Sequence, residues 1–379
     1  MPVPAHVRDW LALTLAPGLG ARRARRISEQ LGSPLAWVDA SDQALANCGL
    51  PQATIQALRR PDPAQMDACL DWLAADHHTL VSVEDELFPP LLRQIDDPPP
   101  CLFVAGTPEL LVRPQVAIVG SRGATRGGLD HAADFSATLA RAGFTITSGL
   151  AAGVDARAHE SCLSAGGPTI AVVGTGPDII YPSRNKQLAL DIVARGALIS
   201  PFPPGTEPRP GNFPARNRLI SGMSLGTLVV EASLRSGSLI TARQASEQGR
   251  EVFAIPGSIH NPQARGCHAL IKQGARLVES ADEIIESLAP LATELAGSLQ
   301  QLLDCEAQSE LDKCEFAPHM EDDADYQVLL DAIGYDPTPV DQIIARSELT
   351  TAQVSSMLLI MELDGRIIAH PGGRYSRSA

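Results

Sequence analysis

The segment Arg209-Pro210-Gly211-Asn212-Phe213-Pro214-Ala215-Arg216-Asn217-Arg218 surrounds one phenylalanine with cationic and amide donors. A phenyl ring can stack on an unpaired nucleobase, for roughly 1–3 kcal/mol per base, while a neighbouring guanidinium holds phosphate. Aromatic residues are only 4% of the chain, so one in a Pro/Gly-rich stretch stands out. The prolines and glycines predict an extended segment. The competing reading makes Phe213 a core plug and the arginines an ordinary surface.

Four further stretches offer anion chemistry. Gly120-Ser121-Arg122-Gly123 follows the apolar run Val116–Val119 and opens a helix-like segment. Loop amides and a helix N-terminus present a positive field there, and Arg122 adds a forked, permanently charged donor. The loop is neither GxGxxG nor a GK[ST] nucleotide-triphosphatase loop. Gly149 and Gly174-Thr175-Gly176 likewise follow apolar runs, and Arg184 and Lys186 lie just beyond the second of these turns. Ser236-Gly237-Ser238 stands where a strand ends and another helix begins. All five are candidate phosphate or base contacts, with tight turns as the plain alternative for the glycines.

Catalytic chemistry is not expected. His159-Glu160 lacks the second histidine of a zinc-protease helix, and no acyl-transfer nucleophile is indicated. Asp155, Asp178 and Glu231 are the only carboxylates near the proposed cleft, and they suggest no acid–base pair. Neither a metal nor a cofactor is expected.

The elements that must position these residues follow from the apolar runs Val116–Val119, Phe144–Thr147, Thr169–Val173, Ala197–Ile199, Thr227–Val230 and Glu251–Ile255, with Ala275–Val278 as a possible seventh. Each is short, rich in β-branched residues and followed by Gly or Pro and then helix-like sequence. That pattern predicts a doubly wound, Rossmann-like α/β core with a parallel sheet buried on both faces. Its loops would then gather at the carboxyl edge of the sheet.

The flanks differ. Residues 1–78 predict a helical domain, where Pro17-Gly18-Leu19-Gly20 and the arginines after it suggest a helix-hairpin-helix (SAM-like) turn; the alternative is a helical domain with a solvated basic face. The Pro-rich stretch from Phe88 to Pro100 is read as a boundary near the start of the core, 79–288. Residues 289–325 are acidic and predict a spacer. Residues 326–379 predict helices at Tyr326–Ile333, Pro339–Ala345 and Thr350–Leu363 and a two-stranded wing, the winged-helix plan. Its acidic residues, among them Asp331, Asp336 and Asp341, favour docking to a partner over reading a DNA groove.

The formal net charge of −14 argues against nucleic acid only until it is mapped. Pro114–Ser280 holds 16 Lys/Arg against 11 Asp/Glu, and the rest holds 14 against 33. A mildly basic core thus lies between acidic flanks. No apolar run reaches membrane-spanning length and no signal peptide is visible. The seven cysteines are scattered and never spaced CxxC, as expected for reduced thiols in the cytoplasm.

These motifs together resemble the DNA-processing protein A (DprA/Smf) family over about residues 80–280. The resemblance rests on Gly120-Ser121-Arg122, Ser148-Gly149-Leu150-Ala-x-Gly153-Val154-Asp155-x-x-Ala158-His159, Tyr181-Pro182-x-x-Asn185, Phe213-Pro214-x-Arg216-Asn217-Arg218-x-Ile220-Ser221 and Val230-Glu231-Ala232-x-x-x-Ser236-Gly237-Ser238-x-x-Thr241-Ala242. It implies a non-catalytic, dimeric protein that binds and protects single-stranded DNA and loads RecA onto it in natural transformation. It also implies strand-binding roles for Ser121, Arg122, Phe213, Asn217 and Arg218. Some relatives carry a lysine where this chain has Pro210, and Arg209 is its neighbouring substitute. The rival is a nucleotide phosphoribohydrolase of the lysine-decarboxylase-like group, whose Pro-Gly-Gly-x-Gly-Thr-x-x-Glu run is met here by Arg235–Ala242, without the glutamate.

Overall fold

The computed structural model describes residues 5–19, 23, 27, 29–295, 297, 324–334, 337–347, 349–350, 353–354, 357–358, 361, 366–370 and 374–377. The N-terminal helices are α1 (Ala5–Leu15), α2 (Pro34–Asp39), α3 (Asp42–Asn47), α4 (Gln52–Arg59) and α5 (Pro63–Leu73). Strand β1 (His78–Ser82), the short helix α6 (Pro90–Arg93) and β2 (Cys101–Gly106) lead into the alternating part. There β3 (Gln115–Val119), α7 (Arg126–Arg141), β4 (Thr145–Ser148), α8 (Val154–Ser164), β5 (Thr169–Val172), α9 (Lys186–Arg195) and β6 (Ala197–Ser200) follow one another. Then come α10 (Asn212–Met223), β7 (Gly226–Val229), α11 (Ser238–Glu247), β8 (Glu251–Ala254), α12 (Arg265–Lys272), β9 (Arg276–Leu277) and α13 (281–295).

All seven expected runs are strands of one sheet, in the order β1-β2-β6-β5-β4-β3-β7-β8-β9. From β6 to β9 every pairing is parallel. Every residue of β3 to β7 is buried, which explains why these strands read as continuous apolar runs. Successive side chains still part company: Val116 and Ile118 join one core, Ala117 and Val119 the other. Helices thus cover both faces. The chain leaves β3 in one direction through β4, β5 and β6, then returns to its other side as β7. The switch point between β3 and β7 opens a crevice at their carboxyl ends, where doubly wound sheets bind ligands.

Three expectations need correction. The Pro-rich stretch is no boundary: it joins β1 to β2, which pair antiparallel and extend the sheet, and Phe88, Leu92 and Ile95 within it are buried in the core. Its prolines shape a loop that plugs one face. The acidic segment is not a spacer from its start, because α13 runs through 295 and rests Ala292 and Leu295 on the core containing Leu288. The segment Arg209–Ser221 is not extended: α10 begins at Asn212. Pro214 sits in its first turn, where a missing N–H costs the helix nothing.

The N-terminal helices belong to the same compact unit as the sheet, residues 1–300. Cys101 of β2 joins their core of Trp10, Trp37, Leu45 and Ile55, and Phe103 packs with Leu11 and Cys69. In the expected helix-hairpin-helix turn, Gly18 has φ +75° and its carbonyl accepts a 2.7 Å bond from Arg23; Gly20–Arg22 and Ala24–Arg26 lie outside the described residues.

The second unit, 301–379, contains α14 (Ala324–Ile333) and α15 (Val340–Ser347) with β10 (Thr338–Pro339), β11 (Ile367–His370) and β12 (Arg374–Arg377). The strands form a sheet in the order β10-β12-β11, one strand more than the expected wing. Leu329, Ile333, Ile343, Val354, Met357, Leu358, Met361 and Ile367 make its core, a winged-helix arrangement. Residues 353, 354, 357, 358 and 361 of the expected third helix are helical; most of its other residues, and the acidic run 301–323, lie outside the described residues.

Candidate nucleic-acid interface

A cleft of about 650 Å³ lies at the switch point. The loop after β3 supplies Gly120, Ser121 and Arg122, and the turn after β7 supplies Ser236, Gly237 and Ser238. Helix α10 supplies Phe213, Arg216, Asn217 and Ile220. Their spacing of three, four and seven is one helical face, so a single helix presents ring, guanidinium and amide together.

The Arg122 guanidinium carbon lies 5.8 Å from the centroid of the Phe213 ring, a cation–π contact. Tyr181, 46% exposed, places its ring 5.6 Å from the same ring, tilted by 43°. Behind these aromatics is a recess of about 160 Å³, bordered by Gly149, Gly174, Thr175, Tyr181 and Arg184. Gly174 is required by this packing, since a Cβ there would come within 2.9 Å of Phe213 Cδ1. Cleft and recess share Arg122, Ala151, Tyr181, Phe213 and Arg216, so the aromatic pair and its arginines form the wall between them.

Beneath this wall the charges are buried. Arg216 is 4% exposed and donates to the Val172 carbonyl, while its Nε has no partner among the described residues. Burial lowers its pKa to about 10, the neighbouring Asp155 carboxylate pulling the other way. Burial raises Asp155 in turn, against the pull of Arg216 and of backbone N–H donors. Arg216 therefore keeps its charge at neutral pH. A side chain at Gly149 would collide with its guanidinium and with Asp155. His159 is fully buried, pairs with Thr169 at 2.7 Å and is pushed down to about 3 by burial and then by Arg216. It is a neutral packing residue.

Other sequence candidates point elsewhere. Arg218 leaves the cleft and meets the Asp97 carboxylate at 3.1 Å, lining a separate groove. In an extended segment Arg216 and Arg218 would share a face; in a helix they stand about 200° apart. Lys186 and Arg209 are exposed and line neither cleft nor recess, whereas Arg184 and Pro210 do. Gly176 packs against Asp178 and the chain at 203–205. Asp178 spends its carboxylate on the Gly205 N–H, at 2.9 and 3.0 Å.

The field expected from the N-terminus of α7 is already neutralised. The Glu231 carboxylate accepts from the Thr125 N–H at 2.8 Å and from its hydroxyl at 2.7 Å, occupying the place an anion would take. Asn185 closes the Tyr181-Pro182-x-x-Asn185 motif. Its buried amide donates to the Leu150 carbonyl at 2.8 Å and to that of Ala151 at 3.4 Å. It thereby holds Leu150 at φ +55°, a strained conformation for a branched side chain, between Gly149 of the recess and Ala151 of the wall. The spacing Gly-x-Ser-x-Gly does occur, at Gly222–Gly226, but between a helix and a strand, and the buried Ser224 hydroxyl donates to the Ile220 carbonyl. It is not a nucleophile elbow.

The family model of DNA recombination-mediator protein A matches residues 79–289, and that of the DprA winged helix domain matches residues 316–373. Protein Smf of Escherichia coli is 44% identical over 310 residues, which are 81% of this chain and 80% of the relative. The solved DNA processing protein A of Streptococcus pneumoniae superposes with a TM-score of 0.65 at 36% identity, covering 76% of this chain and 98% of that one. The protein from Helicobacter pylori, solved for its single-stranded DNA binding mode, gives a TM-score of 0.51 at 30% identity, covering 56% and 97%.

Proposed function

The chain belongs to the DNA recombination-mediator protein A family, and on that premise we propose that it binds single-stranded DNA in the switch-point cleft. The observation that carries this reading is the Arg122 guanidinium above the Phe213 ring at the sheet's carboxyl rim. The ring offers a stacking face, Arg122 offers a phosphate-binding fork, and Ser236-Gly237-Ser238 opens α11 onto the same space. Gly120, Ser121, Arg216 and Asn217 complete the contact set, with Gly149, Gly174 and Thr175 at the recess. Paired DNA hides the base faces that such a site would stack on.

The bound strand would be protected and passed to RecA, in recombination and natural transformation, as the mediator character of the family suggests. No catalytic step is proposed, because Glu231, the glutamate nearest the rim, is engaged with Thr125. Homodimerisation through the core would use the sheet's edge, where among the described residues β9 pairs only with β8 and Leu277 is exposed. The winged helix would dock a partner. The five described cysteines are buried free thiols, which favours the reducing cytoplasm. No helix among the described residues is long and apolar enough to cross a membrane.

Fluorescence anisotropy with labelled oligothymidylate and with a duplex of equal length, over a range of salt, tests the central point. Single strands should bind more tightly, and log K should fall linearly with log salt, with a slope of about −0.7 per phosphate neutralised. Equal affinity for both forms, or indifference to salt, would refute it.

A further inference from the structure

The cleft's most exposed cation, Arg122, sits on a loop whose geometry depends on a residue outside the cleft. Glu231 stands two residues beyond the end of β7 and is 7% exposed. Its main-chain carbonyl accepts the Ser121 N–H at 2.7 Å, and its carboxylate accepts both donors of Thr125. One residue therefore fixes both ends of the loop, leaving Arg122, Gly123 and Ala124 between the two anchors. Asn261 donates to the same carboxylate at 3.2 Å. The Thr125 hydroxyl passes the restraint on by accepting the Gly128 N–H at 3.1 Å, capping α7. Gly128 has no side chain because the carboxylate fills that space: a Cβ there would collide with Glu231 Oε2.

We infer that Glu231 is the positioning residue of the strand-binding loop. It never touches DNA, but it orients Arg122 over Phe213 and substitutes its own negative charge for a phosphate at the N-terminus of α7. The second effect steers the strand. With α7 neutralised, phosphates are directed towards Arg122 and the start of α11, on the side where Phe213 stands. A carboxylate is needed for this, because a neutral side chain would leave the first turn of a 16-residue helix open to anions.

This inference rests on the proposed function, and the experiment separates the two. Oligothymidylate binding is measured by anisotropy for the full chain, for Glu231→Ala and for Glu231→Gln, with thermal unfolding of each recorded in parallel. Glu231→Ala should lose affinity by about tenfold or more, the size of one charge-assisted hydrogen bond, at temperatures well below its unfolding midpoint. Formate at tens of millimolar should restore part of that affinity by re-entering the vacated carboxylate site, whereas chloride at equal ionic strength should not. Glu231→Gln keeps the shape and one acceptor, so it should fall between the two and gain nothing from formate. Should Glu231→Ala fail to fold, Glu231→Gln carries the test by its affinity alone. A purely structural role would lower the unfolding midpoint of either variant and leave the affinity of the folded protein unchanged. That result, or an affinity loss that formate and chloride affect alike, would overturn the inference. Failure of the unaltered chain to bind oligothymidylate would instead overturn the proposed function.

Discussion

Helix α10 serves two grooves of similar size and opposite character. Phe213, Arg216, Asn217 and Ile220 face the cleft of about 650 Å³, where Arg122 and Arg216 outnumber the one carboxylate, Asp155. Arg218 faces a groove of about 560 Å³, which it lines together with Asp96, Asp97 and Glu247. Volume does not distinguish them. The first offers cations, an aromatic face and small hydroxyl residues at a helix start; the second offers three carboxylates and no aromatic ring. A polyanion that stacks its bases fits one and is repelled by the other.

This contrast is most easily broken through the cleft. Arg122→Ala and Phe213→Ala should each weaken oligothymidylate binding by about 1–3 kcal/mol in anisotropy titrations. Because the guanidinium lies over the ring, the double variant should lose less than the sum of the singles. Unchanged affinity in both single variants would remove the cleft from the account. The smaller effect belongs to the other groove. Arg218→Ala should change strand affinity by no more than about 0.5 kcal/mol, while releasing Asp97 and costing about 1 kcal/mol of folding stability in chemical denaturation. A binding loss matching that of Arg122→Ala would restore Arg218 to the strand site, where family resemblance had put it.

The legibility of these features in the sequence follows their physics. A parallel strand buried on both faces needs a continuous apolar run, so Val116–Val119 and its six companions stand out. Strand β1, His78–Ser82, is an antiparallel edge with three half-buried residues and gives no such run. Helix α10 was hidden by Pro214 and by glycines at 211 and 222, residues that are tolerated at helix ends but count against a helix in a composition reading. That one error decided the fate of Arg218, because the period assigned to the segment sets which side chains share a face. Glu231 reads in the sequence only as a carboxylate near the cleft. Its partner Thr125 is 106 residues away, and no local pattern reports a contact brought about by sheet topology.

The account stands or falls on where an unpaired base meets the protein. An oligothymidylate carrying 4-thiothymidine, photocrosslinked to the full chain and mapped by mass spectrometry, reports this directly. Adducts should concentrate on peptides containing Phe213 and Tyr181. Adducts confined to residues 94–97 and 244–248, or to the winged-helix unit, would contradict it.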